Sequence, residues 1–204
     1  VVDNINPDIY DVIKIGITGG IGSGKSVVSR VLKIMGYPIY DSDSWAKKLM
    51  NNNNDIRNSL TLRFGKDTYT DTGLNRQFLA QQIFCNKENL AYVNSIVHPA
   101  VGKHFLQWSE RQHSKLVFIE SAILFSSGFD KIVDKVIFVD APQDMRLKRA
   151  MVRDNSNAEA VMARIKNQAA GDTFARTHSD FIIQNDNKKL LTTQVLSVLN
   201  KING

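Results

Sequence analysis

Five short apolar runs punctuate the chain: Ile13–Thr18, Tyr37–Asp41, Leu116–Ser121, Lys135–Val139 and Asp180–Ile183. Each has the length and continuity expected of a strand buried on both faces. Between them the apolar positions recur at helical spacing. After the first run, Val27, Val28, Val31, Leu32 and Met35 share one helical face, and Gly36 stands where that helix is expected to be capped. Strands alternating with helices predict an α/β fold, a five-stranded parallel sheet flanked by helices.

The interval between the second and third runs holds roughly 70 residues, where a parallel crossover needs about a dozen. Helical patterns fill it at Asp43–Met50, Asp55–Phe64, Arg76–Phe84 and Glu88–Gln112, with the run Asn51–Asn54 read as a helix end and loop. We read this as a helical substrate-binding insertion, about residues 44–113, within one domain. A further helical stretch, about 144–170, is basic at its start and follows the fourth run; it is expected to form a lid. An amphipathic helix, Leu190–Ile202, closes the chain.

Composition narrows the class. With 204 residues, 43% hydrophobic and 23% charged, the chain suits one globular domain with a sizeable core. No apolar run is long enough to span a bilayer, and VVDNINPDIYD shows no secretory pattern, so no membrane partner and a cytoplasmic location are expected. Cys85 is the lone cysteine, which excludes an intrachain disulfide and reads as a small buried residue. The net charge of +6 suits anionic ligands, but no pattern of stacked aromatics with basic residues supports nucleic acid as a partner.

The chemistry begins at residues 19–26, GGIGSGKS, which satisfy G-x-x-x-x-G-K-[ST] between an apolar strand and an amphipathic helix. In such a loop the backbone of Gly20, Ile21, Gly22, Ser23 and Gly24 wraps the phosphates of ATP with its N–H groups, and the helix start at Val27 adds its positive dipole end. Lys25 can reach the β- and γ-phosphates, and the Ser26 hydroxyl can ligate Mg²⁺. The absence of N-K-x-D counts against a GTPase, and the small size against a mechanochemical ATPase. A small-molecule kinase remains as the natural class.

Acidic residues stand at strand ends, where ligands of open parallel sheets bind. Asp41 and Asp43 close the second run. One can take the proton of an attacking hydroxyl and the other can hold Mg²⁺ through water; alternatively Asp43 caps the helix that follows. Glu120 ends the third run in the manner of a Walker-B acid, near metal or substrate. Arg146, Lys148, Arg149 and Arg153 follow the fourth run, with Arg149 and Arg153 on one helical face, where guanidinium groups can meet the charge of a transferring phosphoryl group.

With these residues in place, the chain from about Ile13 to Leu199 resembles dephospho-CoA kinases. The resemblance is carried by GITGGIGSGKS including Thr18, by IYDSDSWAKKL, by Phe64–Gly65 with DTGLNRQFLAQQIF, by His98-Pro99, by ARIKNQ ending at Gln168, and by SDFIIQND with Asp180 and Asn185. It implies transfer of the γ-phosphoryl group of ATP to the ribose 3′-hydroxyl of dephospho-CoA, with Mg²⁺, in a monomer or weak homo-oligomer. Asp43 aligns with the family's general base, beside Asp41. Arg76 and His98 fall in the insertion that holds the CoA end, with Thr18 and Glu120 also beside the substrate; alternatively His98 marks a helix boundary ahead of Pro99. Arg149 aligns with a lid arginine near the ATP phosphates. His104, His113 and His178 match nothing in the family pattern and read as surface or packing residues, as Trp45 and Trp108 read as packing. Two departures stand out: Ala122 to Ser126 lack the family's Pro and Glu, and Arg146 replaces a common Gln. Other readings are a kinase for a different hydroxyl substrate, or a nucleotide-binding regulator without transfer activity.

Overall fold

The computed structural model describes residues 11–84 and 86–203. Cys85 and most of the N-terminal stretch, with the expectations placed on them, lie outside these residues. In chain order the elements are β1 (Ile13–Thr18), α1 (Lys25–Ile34), β2 (Ile39–Asp41), α2 (Ser42–Asn52), α3 (Asn54–Phe64), β3 (Tyr69–Thr70), β4 (Gly73–Leu74), α4 (Arg76–Phe84), α5 (Lys87–Ser109), β5 (Leu116–Glu120), β6 (Lys135–Asp140), α6 (Gln143–Asp154), α7 (Ala158–Thr177), β7 (Phe181–Gln184) and α8 (Leu191–Asn203). Two compact units result, one of them Asp41–Gln107 and the other the chain on either side of it.

The larger unit is built on a five-stranded sheet in the order β2-β5-β1-β6-β7. β1 lies parallel to both neighbours, with Ile15 beside Phe118 of β5 and Ile17 beside Ile137 of β6; β7 continues the parallel ladder with Ile183 beside Val139. These strands read as unbroken apolar runs because helices cover both faces. Ile15, Ile17, Val28, Leu32, Phe118, Val139, Ile183 and Val195 pack into one core that joins the sheet to α1 and α8. Each fully buried side chain of this kind contributes about 1.5–3 kcal/mol relative to exposure.

Two local features set the ends of α1 and β2. Tyr37 donates its N–H to Leu32 O at 3.1 Å and Gly36 to Lys33 O at 3.1 Å, the paired bonds that end a helix in a Schellman motif. β2 therefore starts at Ile39 rather than Tyr37: the Tyr37 N–H is already spent, and Pro38 has none to give. Pro38 still contributes its carbonyl, which accepts from Phe118 N at 3.0 Å.

The stretch expected as a lid is a helical pair. α6 ends at Asn155 in the left-handed conformation, and α7 is capped by Asn157, whose side chain accepts from Ala160 N. Ala150, Val161 and Ile165 form its private core, with Ile21, Leu147 and Met151 packed against it. Ile21 belongs to the glycine-rich loop, so the α6–α7 pair rests directly on that loop.

The smaller unit holds α2, α3, the β3–β4 hairpin, α4 and most of α5. Asn53 ends α2 and also caps α3, accepting from Ile56 N at 3.1 Å, so the asparagine run is a helix–helix junction rather than a loop. Ile56, Leu60, Leu79, Val93 and Val97 are buried in this unit. Arg57 lies 4.2 Å above the Tyr69 ring, while burial pushes the Tyr69 phenol up against that cation's pull.

Candidate active site

β1 delivers the chain into the GGIGSGKS loop, and α1 leaves it. Gly24 stands at the N-cap of α1 with φ 95°, and Val27 and Val28 both donate to its carbonyl, at 3.0 and 3.2 Å. The N–H groups of Lys25 and Ser26 precede these first helical bonds, and the helix start presents partial positive charge. Lys25 Nζ folds back to donate to Gly19 O at 2.7 Å and Gly20 O at 3.2 Å. Ser26 is exposed in the first turn, and Ser23 Oγ is buried with no hydrogen-bond partner among the described residues.

Side chains from three distant segments hold the loop. Asn185, just after β7 and only 7% exposed, donates from Nδ2 to Ser23 O at 2.7 Å. A Cβ on Gly24 would collide with that amide, so the loop needs glycine there for space as well as for its φ. Arg149 reaches Asn185 O at 3.1 Å and Asn187 Oδ1 at 3.3 Å. Gln168 of α7 accepts from Ile21 N at 3.0 Å, and Arg146 of α6 donates from Nε to Ile21 O at 2.9 Å. Of the basic group, Arg146 and Arg149 face the loop region; Arg153 pairs with Asp154 at 2.7 Å and stays largely exposed, and Lys148 is exposed. Gln168 and Asn185 stand in segments that the sequence singles out, but their bonds to the loop cross 147 and 162 residues and have no local signal.

Thr18, at the end of β1, opens onto a cavity of about 420 Å³. The turn Ala122–Ser126 forms one wall and α7 the other, through Asn167, Gln168, Asp172 and Phe174. The segment that lacks the family's Pro and Glu is therefore cavity wall. Phe125 and Phe174 meet edge to face at 5.6 Å, and His178 stacks on Phe174 at 3.8 Å, which makes His178 a packing residue. Glu120, half-buried, ends β5 beside Ile17 of β1.

Asp41 and Asp43 differ sharply. Asp41, not Asp43, caps α2: it accepts from Asp43 N at 3.1 Å, Ser44 N at 3.2 Å and Ser44 Oγ at 2.6 Å. The cap falls there because the chain leaves the extended conformation at Asp41, φ −86° and ψ 105°, one residue before the helix. Asp43 sits exposed in the first turn, and its carboxylate has no hydrogen-bond partner among the described residues. Asp41→Ala is expected to lower stability by about 1 kcal/mol, readable as a shift in a urea unfolding midpoint, with Asp41→Asn largely restoring it.

Arg76 opens α4 and borders an apolar groove of about 190 Å³ with Lys47, Met50, Leu74, Leu79 and Ile83. His98 lies within α5, where Pro99 is also helical, so the pair is not a helix boundary. Trp45 packs on His104 at 4.2 Å, and Trp108 on Tyr40 at 5.4 Å. Burial lowers the His98 pKa, so the folded chain holds this imidazole neutral where the unfolded chain would protonate it. The stabilising effect of that difference is complete above the ordinary histidine value and is lost as pH falls towards the lowered one. Thermal melts are expected to fall between pH 7.5 and pH 5.5, and His98→Gln to flatten that slope.

A sequence profile of dephospho-CoA kinase matches residues 13–190. The chain belongs to the dephospho-CoA kinase family. A dephospho-CoA kinase from Porphyromonas gingivalis is 47% identical over 190 residues, covering 93% of this chain and 94% of that protein. Among solved structures, TT1252 from Thermus thermophilus superposes with a TM-score of 0.80 at 30% identity, over 95% of this chain and 99% of that one. A dephospho-CoA kinase from Campylobacter jejuni gives 0.67 at 25% identity, over 93% and 96%. In this member of the dephospho-CoA kinase family the cavity at Thr18 adjoins the loop, since Gln168, which accepts from Ile21 N, also lines that cavity. Among the described residues no group of three or more His, Cys, Asp or Glu could hold a metal ion, and no helix is long and apolar enough to cross a membrane.

Proposed function

We propose that the chain transfers the γ-phosphoryl group of ATP to the ribose 3′-hydroxyl of dephospho-CoA, releasing CoA and ADP, the last step of CoA synthesis. The observation that carries this reading is the bracketed GGIGSGKS loop in a chain matched to the family from residue 13 to residue 190. The loop and the N-terminus of α1 hold the ATP phosphates. Lys25 turns from its loop carbonyls to the β- and γ-phosphates, and Arg149 stands ready to meet charge on the transferring group. The Ser23 hydroxyl, without a hydrogen-bond partner among the described residues, gains an acceptor when phosphate fills the loop.

Mg²⁺ suits this donor set. The ion keeps several waters and needs few protein ligands beside phosphate oxygens, which fits an exposed Ser26 hydroxyl without a multi-carboxylate cluster. Bound with ATP, Mg²⁺ supplies charge neutralisation on the phosphate oxygens.

Asp43 accepts the proton of the 3′-hydroxyl as its oxygen attacks the γ-phosphorus. The new O–P bond forms while the bond to the β–γ bridging oxygen breaks, and ADP leaves with that electron pair. Thr18 and Glu120 line the acceptor's path, and Arg76 and His98 hold the CoA end. The α6–α7 pair acts as the lid that keeps water from the γ-phosphate. ADP release measured with ATP, Mg²⁺ and a panel of hydroxyl acceptors tests the reading. Turnover with dephospho-CoA, well above that with nucleosides or shikimate, is expected; equal turnover without any acceptor would reject it.

A further inference from the structure

The tip of the phosphate loop is held at both polar atoms of one residue. Ile21 gives its N–H to Gln168 and its carbonyl accepts from Arg146 Nε at 2.9 Å. Arg146 is itself held: its Nη2 meets Asp172 Oδ2 at 2.7 Å, and both side chains are 13% exposed. A Cβ on Gly20 would collide with both Arg146 Nη2 and Asp172 Oδ2, so the pair lies against the loop backbone. Burial pushes the Asp172 carboxyl up, while the cations of Arg146 and Lys25 pull it down.

We infer that the largely buried Arg146–Asp172 pair is a positioning device for ATP, holding Gly20 and Ile21 so that the loop's N–H groups and Lys25 are set for phosphate before nucleotide arrives. The inference rests on ATP occupying the loop, and not on the identity of the acceptor. Three features support positioning over simple packing. The guanidinium spends one donor on a carboxylate and another on a loop carbonyl, a two-pronged use that fixes its plane. Its partner comes from α7, so two helices converge on one loop residue. Lys25 donates to Gly19 and Gly20, the latter being the backbone that the pair flanks.

Because removing one partner of a buried ion pair strands the other, single variants can lose stability for that reason alone. The decisive variant is the volume-conserving double replacement Arg146→Met with Asp172→Leu, which strands no charge. ATP affinity is read directly by calorimetry without any acceptor, alongside the thermal midpoint. The expected result is a double variant that melts close to the parent yet binds ATP about tenfold more weakly, since a hydrogen bond made by a charged group is lost from the loop. Arg146→Lys, which keeps charge but not the fork, should also bind ATP more weakly than the parent. A double variant that folds and keeps the parent's ATP affinity within twofold would overturn the inference and leave the pair as packing. Because this readout needs no acceptor, it stands even if dephospho-CoA proves not to be the substrate.

Discussion

Lys25→Met is expected to lower kcat/KM for ATP by about a thousandfold, the scale on which an active-site charge stabilises a phosphoryl-transfer transition state. Methionine keeps most of the stem and removes only the ammonium. In the structure that ammonium serves the loop itself, donating to the Gly19 and Gly20 carbonyls. Those bonds are two among many that hold the loop; Asn185, Gln168 and Arg146 remain in the variant. Folding stability should therefore fall by only about 1–2 kcal/mol. Steady-state kinetics with a parallel melt separates the two effects. Lys25→Arg should not restore activity, because a planar fork cannot follow the path of a flexible ammonium. Activity of Lys25→Met within tenfold of the parent would remove the lysine from the chemistry.

Asp43→Asn is expected to lower kcat by about a thousandfold while leaving ATP affinity within a factor of about two, as befits loss of a general base. The structure separates Asp43 from its neighbour by what each oxygen is doing. Both oxygens of Asp41 accept hydrogen bonds as the cap of α2. Asp43 occupies the first helical turn, exposed and without such bonds among the described residues. Asparagine preserves size and removes the basic site. Asp41→Asn is the matched control, since asparagine also caps well; it should keep most of kcat. The opposite ranking, a crippled Asp41→Asn beside a near-normal Asp43→Asn, would move the base to Asp41.

The sheet was legible because its central strands are buried on both faces and therefore read as unbroken apolar runs. The loop was legible because glycines at fixed offsets before Lys and Ser have few other uses. What holds the loop was not. Arg146 to Ile21 and Asn185 to Ser23 span 125 and 162 residues, and nothing local in the chain marks either contact. Asp172 has no signal at all, being one more acid on a long helix. The asparagine run misleads for a physical reason: Asn caps helices as readily as it makes loops, and here Asn53 ends α2 and caps α3 at one residue. The same ambiguity placed the cap of α2 at Asp43, because two acids flanking Ser42 fit the pattern equally. The β3–β4 hairpin escaped because strands of two residues carry no periodicity.

The most direct test of the account is the identity of the product formed from dephospho-CoA, ATP and Mg²⁺, read by mass spectrometry and phosphorus NMR. The account predicts a stoichiometric yield of ADP and CoA, with the added phosphate on the ribose 3′ oxygen. ADP formed without any gain of phosphate by dephospho-CoA, or a phosphate added at another position, would contradict it.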